Sequence, residues 1–274
     1  MQNQALPGLV DTHCHLNFDV FDLDRDAVIE RARQKGISRI LIPGVDLETS
    51  KSAIKYAEEF PEVYAAVGMH PNDGATWCES SISEIKLLAG KKKVVAIGEI
   101  GLDYYRDRTS KDLQRVMFRQ QLELAAQLDL PVIIHNRDAS VDILNILREW
   151  YEMLTTRGSI LIDCPGVMHS FSGDAAFADE IIALNFKVGI NGPVTFHNSQ
   201  ALQSLVRSLP IDSLLIETDA PYLTPHPFRG KRNEPANVRI VAEKIAELKE
   251  VSLENVAQVT TDGADKLFRW REIH

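Results

Sequence analysis

Short apolar runs rich in β-branched residues alternate along this chain with longer stretches of helical period, and that alternation constrains the fold more than any other feature. It opens with Leu9-Val10-Asp11-Thr12-His13, passes through a helical stretch from Arg25 to Lys35, and returns to Arg39-Ile40-Leu41-Ile42-Pro43. Parallel strands need a long crossover between them, so repeated strand and helix signals predict βαβ units. Further strands are predicted at Val63 to Met69, Val94 to Ile100, Pro131 to His135, Val167 to Phe171, Lys187 to Ile190 and Leu214 to Thr218. Helices are predicted at Ser50 to Phe60, Ser81 to Ala89, Leu113 to Leu128, Val141 to Leu154, Ala175 to Leu184, Gln200 to Leu209 and Ala236 to Lys249. Eight strands in a chain of 274 residues suggest an α/β protein with one domain, residues 1–274, folded as a TIM-like (β/α)8 barrel. Doubly wound open sheets use the same units, and periodicity alone does not choose between the two. No Gly-x-Gly-x-x-Gly turn follows the first strand to favour a dinucleotide fold. The run Ile160-Leu161-Ile162, ahead of Pro165-Gly166, reads as an inserted strand or an extended loop.

At this length a compact fold buries enough surface to hold itself together, so a metal would be present for chemistry rather than for stability. The net charge of −9 has the wrong sign for coating long nucleic acid by charge alone, and a nucleic-acid substrate would need a local positive site. Cys14, Cys78 and Cys164 are widely spaced, with no CxxC pair. That pattern argues against a disulfide framework or a thiolate zinc site and fits a reducing compartment. Met1 to Leu16 lacks a basic segment followed by a long apolar core, and every apolar run is too short to span a bilayer. The expectation is a cytoplasmic protein with no membrane contact and no obligate protein partner.

His13 and His15 stand two apart at the end of the first predicted strand, where the strand period turns both imidazoles to one face and Cys14 to the other. One ion can bind both. Other ionisable residues stand where further strands end: Glu99 after Val95-Ala96-Ile97-Gly98, His135 after Val132-Ile133-Ile134, His169 after Gly166-Val167-Met168, and Asp219 after Leu214-Leu215-Ile216. Taken singly, each could be a polar strand end satisfied by a backbone partner. In a barrel those ends converge on one mouth, and four histidines with two carboxylates exceed the needs of one tetrahedral zinc. Two divalent ions are therefore expected, magnesium, manganese or zinc, with Glu99 able to bridge them through its two oxygens. Asp219 is a candidate both to ligate an ion and to accept a proton from a metal-activated water, and a ligand-only role stands beside that reading.

These segments resemble the TatD family of metal-dependent deoxyribonucleases, within the amidohydrolase-like hydrolases. The resemblance spans nearly the whole chain. It rests on Val10-Asp11-Thr12-His13-Cys14-His15-Leu16, Gly98-Glu99-Ile100-Gly101-Leu102-Asp103-Tyr104, Pro131-Val132-Ile133-Ile134-His135-Asn136-Arg137, His169-Ser170-Phe171-Ser172-Gly173, Glu217-Thr218-Asp219-Ala220-Pro221-Tyr222-Leu223 and Arg229-Gly230-Lys231-Arg232-Asn233-Glu234-Pro235, in that order. It implies a TIM-like barrel with His13, His15 and Asp219 on one ion, His135 and His169 on the other, and Glu99 between them. Relatives of the phosphotriesterase type bridge their metals with a carboxylated lysine, and the corresponding position here looks like Glu99. The resemblance also implies that His70, in Gly68-Met69-His70-Pro71, lies near the substrate phosphate and outside the metal ligands. The implied activity is hydrolysis of DNA phosphodiesters with exonuclease character, single-stranded or 3′ ends being favoured, with Asp219 and Glu99 at the catalytic centre.

Several other side chains are candidates for substrate contact. Asn136 and Arg137 follow His135, and an arginine fork matches phosphate oxygens, although a surface ion pair uses the same residue. Tyr104 and Tyr105 offer either stacking faces for unpaired bases or simple packing. Arg229, Lys231 and Arg232 concentrate positive charge just beyond Asp219, either as a phosphate site or as a solvated face. His197, His226 and His274 are read as non-ligands. Two other classes stay in view: a hydrolase of a small ester, lactone or amide, because the same donors polarise carbonyl and phosphoryl oxygens alike, and a non-catalytic metal-binding barrel.

Overall fold

The computed structural model describes residues 8–106 and 108–270, so the expectations placed on the first seven residues and on His274 lie outside the described residues. Strands β1 (Leu9–Asp11), β2 (Ile37–Pro43), β3 (Val63–Val67), β4 (Val94–Asp103), β5 (Val132–Arg137), β6 (Gly166–Met168), β7 (Lys187–Ile190) and β8 (Leu214–Ile216) pair in chain order. Every pairing from β1 to β8 is parallel. The crossovers are α1 (Arg25–Gln34), α2 (Leu47–Glu59), α3 (Ser81–Ala89), α4 (Lys111–Leu128), α5 (Ser140–Arg157), α6 (Ala175–Ala183) and α7 (Gln200–Ser208). After β8 come α8 (Val238–Lys249) and α9 (Leu253–Phe268). No helix among the described residues is long and apolar enough to cross a membrane.

The (β/α)8 expectation holds, and the alternative of an open doubly wound sheet does not. The seam between β8 and β1 is closed by a mixture of backbone and side chain. The Thr12 N–H donates to the Ile216 carbonyl, the His15 N–H donates to the Ala220 carbonyl, and Cys14 bridges Ala220 in parallel. Between those bonds the buried Asp11 carboxylate accepts from the Thr218 N–H at 2.9 Å and from its hydroxyl at 2.6 Å. Burial pushes the Asp11 carboxyl up to about 8, against the pull of the Thr218 hydrogen bonds.

Two apolar layers follow from strand alternation. Residues such as Ile40, Ile42, Ala65, Val67, Ile97 and Ile134 face the helices. The alternate set, including Val10, Leu41, Ala66, Ile133, Val167 and Leu215, fills the barrel interior. Its lower end is plugged by Leu267 and Phe268 of α9 and by the following Trp270, all buried. α9 is absent from the sequence expectation although its signals are regular. Ser252 caps it by accepting from the Asn255 N–H, and Val256, Ala257, Thr260, Ala264 and Leu267 are buried at helical spacing. The run around Ile160-Leu161-Ile162 is neither strand nor extended loop; it forms a 3₁₀ turn over Ile160–Asp163 that buries Leu161 and leaves Ile160 exposed.

Candidate metal centre

The inward period that fills the barrel also builds its mouth. Two residues beyond Ile133, Val167 and Leu215, the same face carries His135, His169 and Glu217. β7 contributes Gly189 at this level, where a Cβ would stand 2.6 Å from a Glu217 oxygen. The missing side chain leaves room for the carboxylate. Glu99 arrives by a register shift in β4 between Ile97 and Ile100. Such bulges re-aim side chains beside active sites. A Cβ at the neighbouring Gly98 would lie 2.7 Å from the Ile133 Cβ, so this close approach requires glycine. β1 ends at Asp11, before the predicted His13, yet alternation persists through the bridge at Cys14, which keeps both histidines on the inner side. Asp219 sits with φ 55 in the left-handed region, which aspartate tolerates better than most residues, and its N–H donates to the His13 carbonyl at 2.8 Å.

The six side chains expected to hold metal converge. His13 Nε2 lies 3.2 Å from His15 Nε2 and 3.4 Å from Glu99 Oε2, and His15 Nε2 lies 3.5 Å from Asp219 Oδ1. Ligands at about 2.1 Å around a tetrahedral ion stand roughly 3.4 Å apart, so these separations fit donors sharing one cation. The buried Nδ1 atoms of His13 and His15 have no hydrogen-bond partner among the described residues, so both rings direct their only engaged nitrogen at the cluster. On the other side, Glu99 Oε1 lies 2.9 Å from His135 Nδ1 and 3.7 Å from His70 Nε2. The two oxygens of Glu99 therefore face different histidines. The donors of His169 group with those of His13 and Glu99, and its ring stacks on His13 with centroids 3.4 Å apart.

The electrostatics favour cations. Burial alone would raise the Glu99 carboxyl, but hydrogen bonds from His13 and His135 hold it well below the usual carboxylate range. Asp219 follows the same pattern, burial being outweighed by the His15 hydrogen bond and the neighbouring imidazoles. Burial disfavours a charge on His169, yet Glu217, Glu99 and Asp219 together push it up to about 10. The carboxylates that favour a proton on His169 would equally favour a cation that displaces it. His70 differs: burial and the nearby His135 push it down to about 3, and its Nδ1 accepts from the Asn72 N–H at 3.1 Å. A neutral ring accepting at Nδ1 carries its proton on Nε2, which supports a donor role rather than ligation.

These groups open into a cavity of about 1270 Å3 lined by His15, His70, Glu99, His135, Asn136, Arg137, His169 and Asp219, among others. Tyr104, Arg229, Lys231 and Arg232 are not part of that lining. The Tyr104 hydroxyl donates to Asp142 at 2.5 Å and accepts from Arg115 at 3.0 Å, which fixes it in a local network. Arg232 forms a two-pronged pair with Asp24, and Asn136 donates to the Ser140 hydroxyl. Two carboxylates beside the cluster carried no assigned role in the sequence reading. Glu217 Oε1 lies 3.0 Å from His169 Nδ1, and Asp103 Oδ2 lies 3.3 Å from His135 Nε2. The position of Glu217 two residues beyond the inward-facing Leu215 is the signal that could have exposed the first of them.

The family model described as TatD related DNase matches residues 10–269. The metal-dependent hydrolase YabD of Bacillus subtilis is 48% identical over 261 residues, covering 95% of this chain and 99% of its own. The 3'-5' ssDNA/RNA exonuclease TatD of Musicola paradisiaca is 34% identical over 267 residues, covering 95% and 98%. The crystal structure of YjjV, a TatD homologue from Escherichia coli K12, superposes with a TM-score of 0.87 at 31% identity, covering 95% and 98%. With matching family, fold and a converging His, Glu and Asp cluster, this chain belongs to the TatD family of metal-dependent hydrolases.

Proposed function

We propose that this hydrolase cleaves phosphodiester bonds of single-stranded DNA from an end, with two divalent ions. The observation that carries the reading is Glu99, whose two oxygens face separate histidine sets at the mouth of one cavity. Paired-metal sites of this kind suit in-line displacement at phosphorus, because both the attacking and the leaving oxygen can be stabilised. The exonuclease named among the relatives supports the substrate class.

His13, His15 and Asp219 would hold one ion; the resemblance would place His135 and His169 on the other with Glu99 serving both, although the donor atoms of His169 lie among those of His13 and Glu99, and those of His135 beside Glu99 and His70. A bound pair supplies Lewis acidity, polarising the phosphoryl group and making water a stronger acid. Asp219, kept ionised and facing the cavity, would take the proton of the attacking water at a carboxylate oxygen. His70, neutral with its proton on Nε2, would donate to a phosphate oxygen and orient the scissile group.

The test is to strip the protein of metal, restore magnesium, manganese or zinc separately, and compare end-labelled single-stranded DNA, duplex DNA, RNA and chromogenic esters. Metal-dependent release of mononucleotides from single-stranded DNA is expected. Ester hydrolysis with DNA untouched would replace the nuclease reading by that of a small-molecule hydrolase.

A further inference from the structure

The chain carries a net charge of −9, so any polyanion must find positive charge locally, and the cavity lining shows where that charge stands. Its cations are Arg106 and Arg108, between β4 and α4, and Arg137 at the end of β5. Arg106 and Arg108 are exposed, and none of the three has a carboxylate partner within ion-pair distance among the described residues. Arg137 is exposed and lies over the exposed Tyr105 ring at 4.0 Å from its centroid. The half-buried Asp73 lines the same cavity and feels the charge of Arg108 without bonding to it. This flank is also tied to the metal centre. The Asp103 carboxylate, beside His135, accepts the N–H groups of Tyr105 and Arg106 at 3.0 and 2.9 Å.

The cationic segment after β8 is disposed differently. Arg232 is committed to Asp24 and the Val20 carbonyl, Arg229 lies over Phe196, and Lys231 lies over Phe228. The side of the cavity after β6 and β7, with Ser172, Asp174, Ala175, Leu202 and Leu205, has no cation among the described lining residues. It is suited to sugar and base rather than to phosphate.

We propose that a single strand crosses the mouth with its phosphates over Arg106, Arg108 and Arg137, and with its terminal nucleoside toward Leu202 and Leu205. The proposal rests on the phosphodiesterase reading above and assigns the polyanion track to the β4–α4 and β5–α5 side of the barrel. The segment from Arg229 to Arg232 is then a structural brace rather than the principal phosphate contact.

The test measures binding of a fluorescent, hydrolysis-resistant phosphorothioate oligothymidylate to metal-loaded full-length protein across a salt series. The variants are R106Q/R108Q, R229Q/K231Q and the charge-matched control K91Q/K92Q, whose lysines are exposed ahead of β4 at the other end of the barrel. For R106Q/R108Q, Kd should rise about tenfold and the slope of log K against log salt should fall by about 1.4, two single-strand phosphate contacts at roughly 0.7 each. The control should move neither. Unchanged binding in R106Q/R108Q, a loss matched by the control, or a loss carried by R229Q/K231Q would overturn the proposal. Hydrolysis of the unmodified strand is scored separately. Binding through Arg106 and Arg108 without hydrolysis under any ion would leave the track standing and remove the nuclease reading.

Discussion

Asp219 combines a left-handed backbone, a hydrogen bond to the His13 carbonyl and a carboxylate facing the cavity, so the substitution that isolates its chemistry has to spare its backbone. Asparagine tolerates the same φ and keeps the size while removing the negative charge. D219N should therefore retain the fold and lower single-turnover cleavage of an end-labelled oligonucleotide by about 10²- to 10⁴-fold, the usual contribution of a positioned acid or base. Near-wild-type turnover would exclude both the ligand role and the proton-accepting role. Glu217 allows a second test at this scale. It is fully buried, it lies against His169 Nδ1, and its other oxygen has no hydrogen-bond partner among the described residues. A carboxylate behind a metal-binding histidine fixes the ring and raises its basicity, and its loss typically weakens metal affinity 10- to 100-fold. E217Q should show that loss in a competition titration against a chromophoric chelator. If metal affinity is unchanged while the melting temperature falls, Glu217 acts only as packing.

Among the elements, α9 shows how a helix remote from the chemistry supports it. Leu267 and Phe268, together with Trp270, close the end of the barrel opposite the metal cluster, and the Trp270 indole donates to Asp265 at 2.8 Å. Above that plug lie Val10, Ile133, Val167 and Leu215, and on the same strand faces lie the site residues. Removing the plug leaves a cavity beneath the whole stack. W270A should cost about 3 to 5 kcal/mol in a chemical denaturation series, the range for deleting a buried aromatic side chain. Turnover by the fraction that stays folded should fall much less. A loss below about 1 kcal/mol would show that the interior repacks without the indole.

For the molecule as a whole, the metal centre places buried histidines and carboxylates together at one end of an otherwise apolar interior, where bound cations would offset the mutual repulsion of the carboxylates. Cation binding should accordingly couple to folding. At a metal concentration a hundredfold above Kd, the stabilisation is about 2.7 kcal/mol. Each kcal/mol shifts Tm by roughly 2 to 4 °C in a chain near this size. Chelation should therefore lower Tm by roughly 5 to 10 °C, with the far-ultraviolet circular dichroism spectrum retained, and should abolish hydrolysis. Restoring the ion should recover both. An unchanged melting curve after verified metal removal would argue that the cluster does not bind ions tightly in the folded protein.

Much of this was legible in the order of residues, because a strand repeats every two positions and a helix every 3.6, and both periods are written locally. Alternation gave the order of β1–β8 and α1–α8, though neither α9 nor the choice of a barrel over an open sheet, and the ionisable residues near strand ends marked side chains that converge at one mouth. His13 and His15, Glu99, His135, His169 and Asp219 could be named as candidates without coordinates, since they cluster within a few residues beyond the apolar runs. What depended on the tertiary structure is how separated segments meet. Asp11 closing the seam onto Thr218, Glu217 standing behind His169, and the division of the Glu99 oxygens between two histidine sets all join residues far apart in the chain. The distinction between positive segments has the same origin. Arg232 is drawn off by Asp24, more than two hundred residues away in sequence, whereas Arg106, Arg108 and Arg137 line one cavity only because β4 and β5 are neighbours in the sheet. Charge is a property of a residue type and can be read from the chain; whether that charge is spent on a neighbour or left facing a substrate is decided by three-dimensional packing.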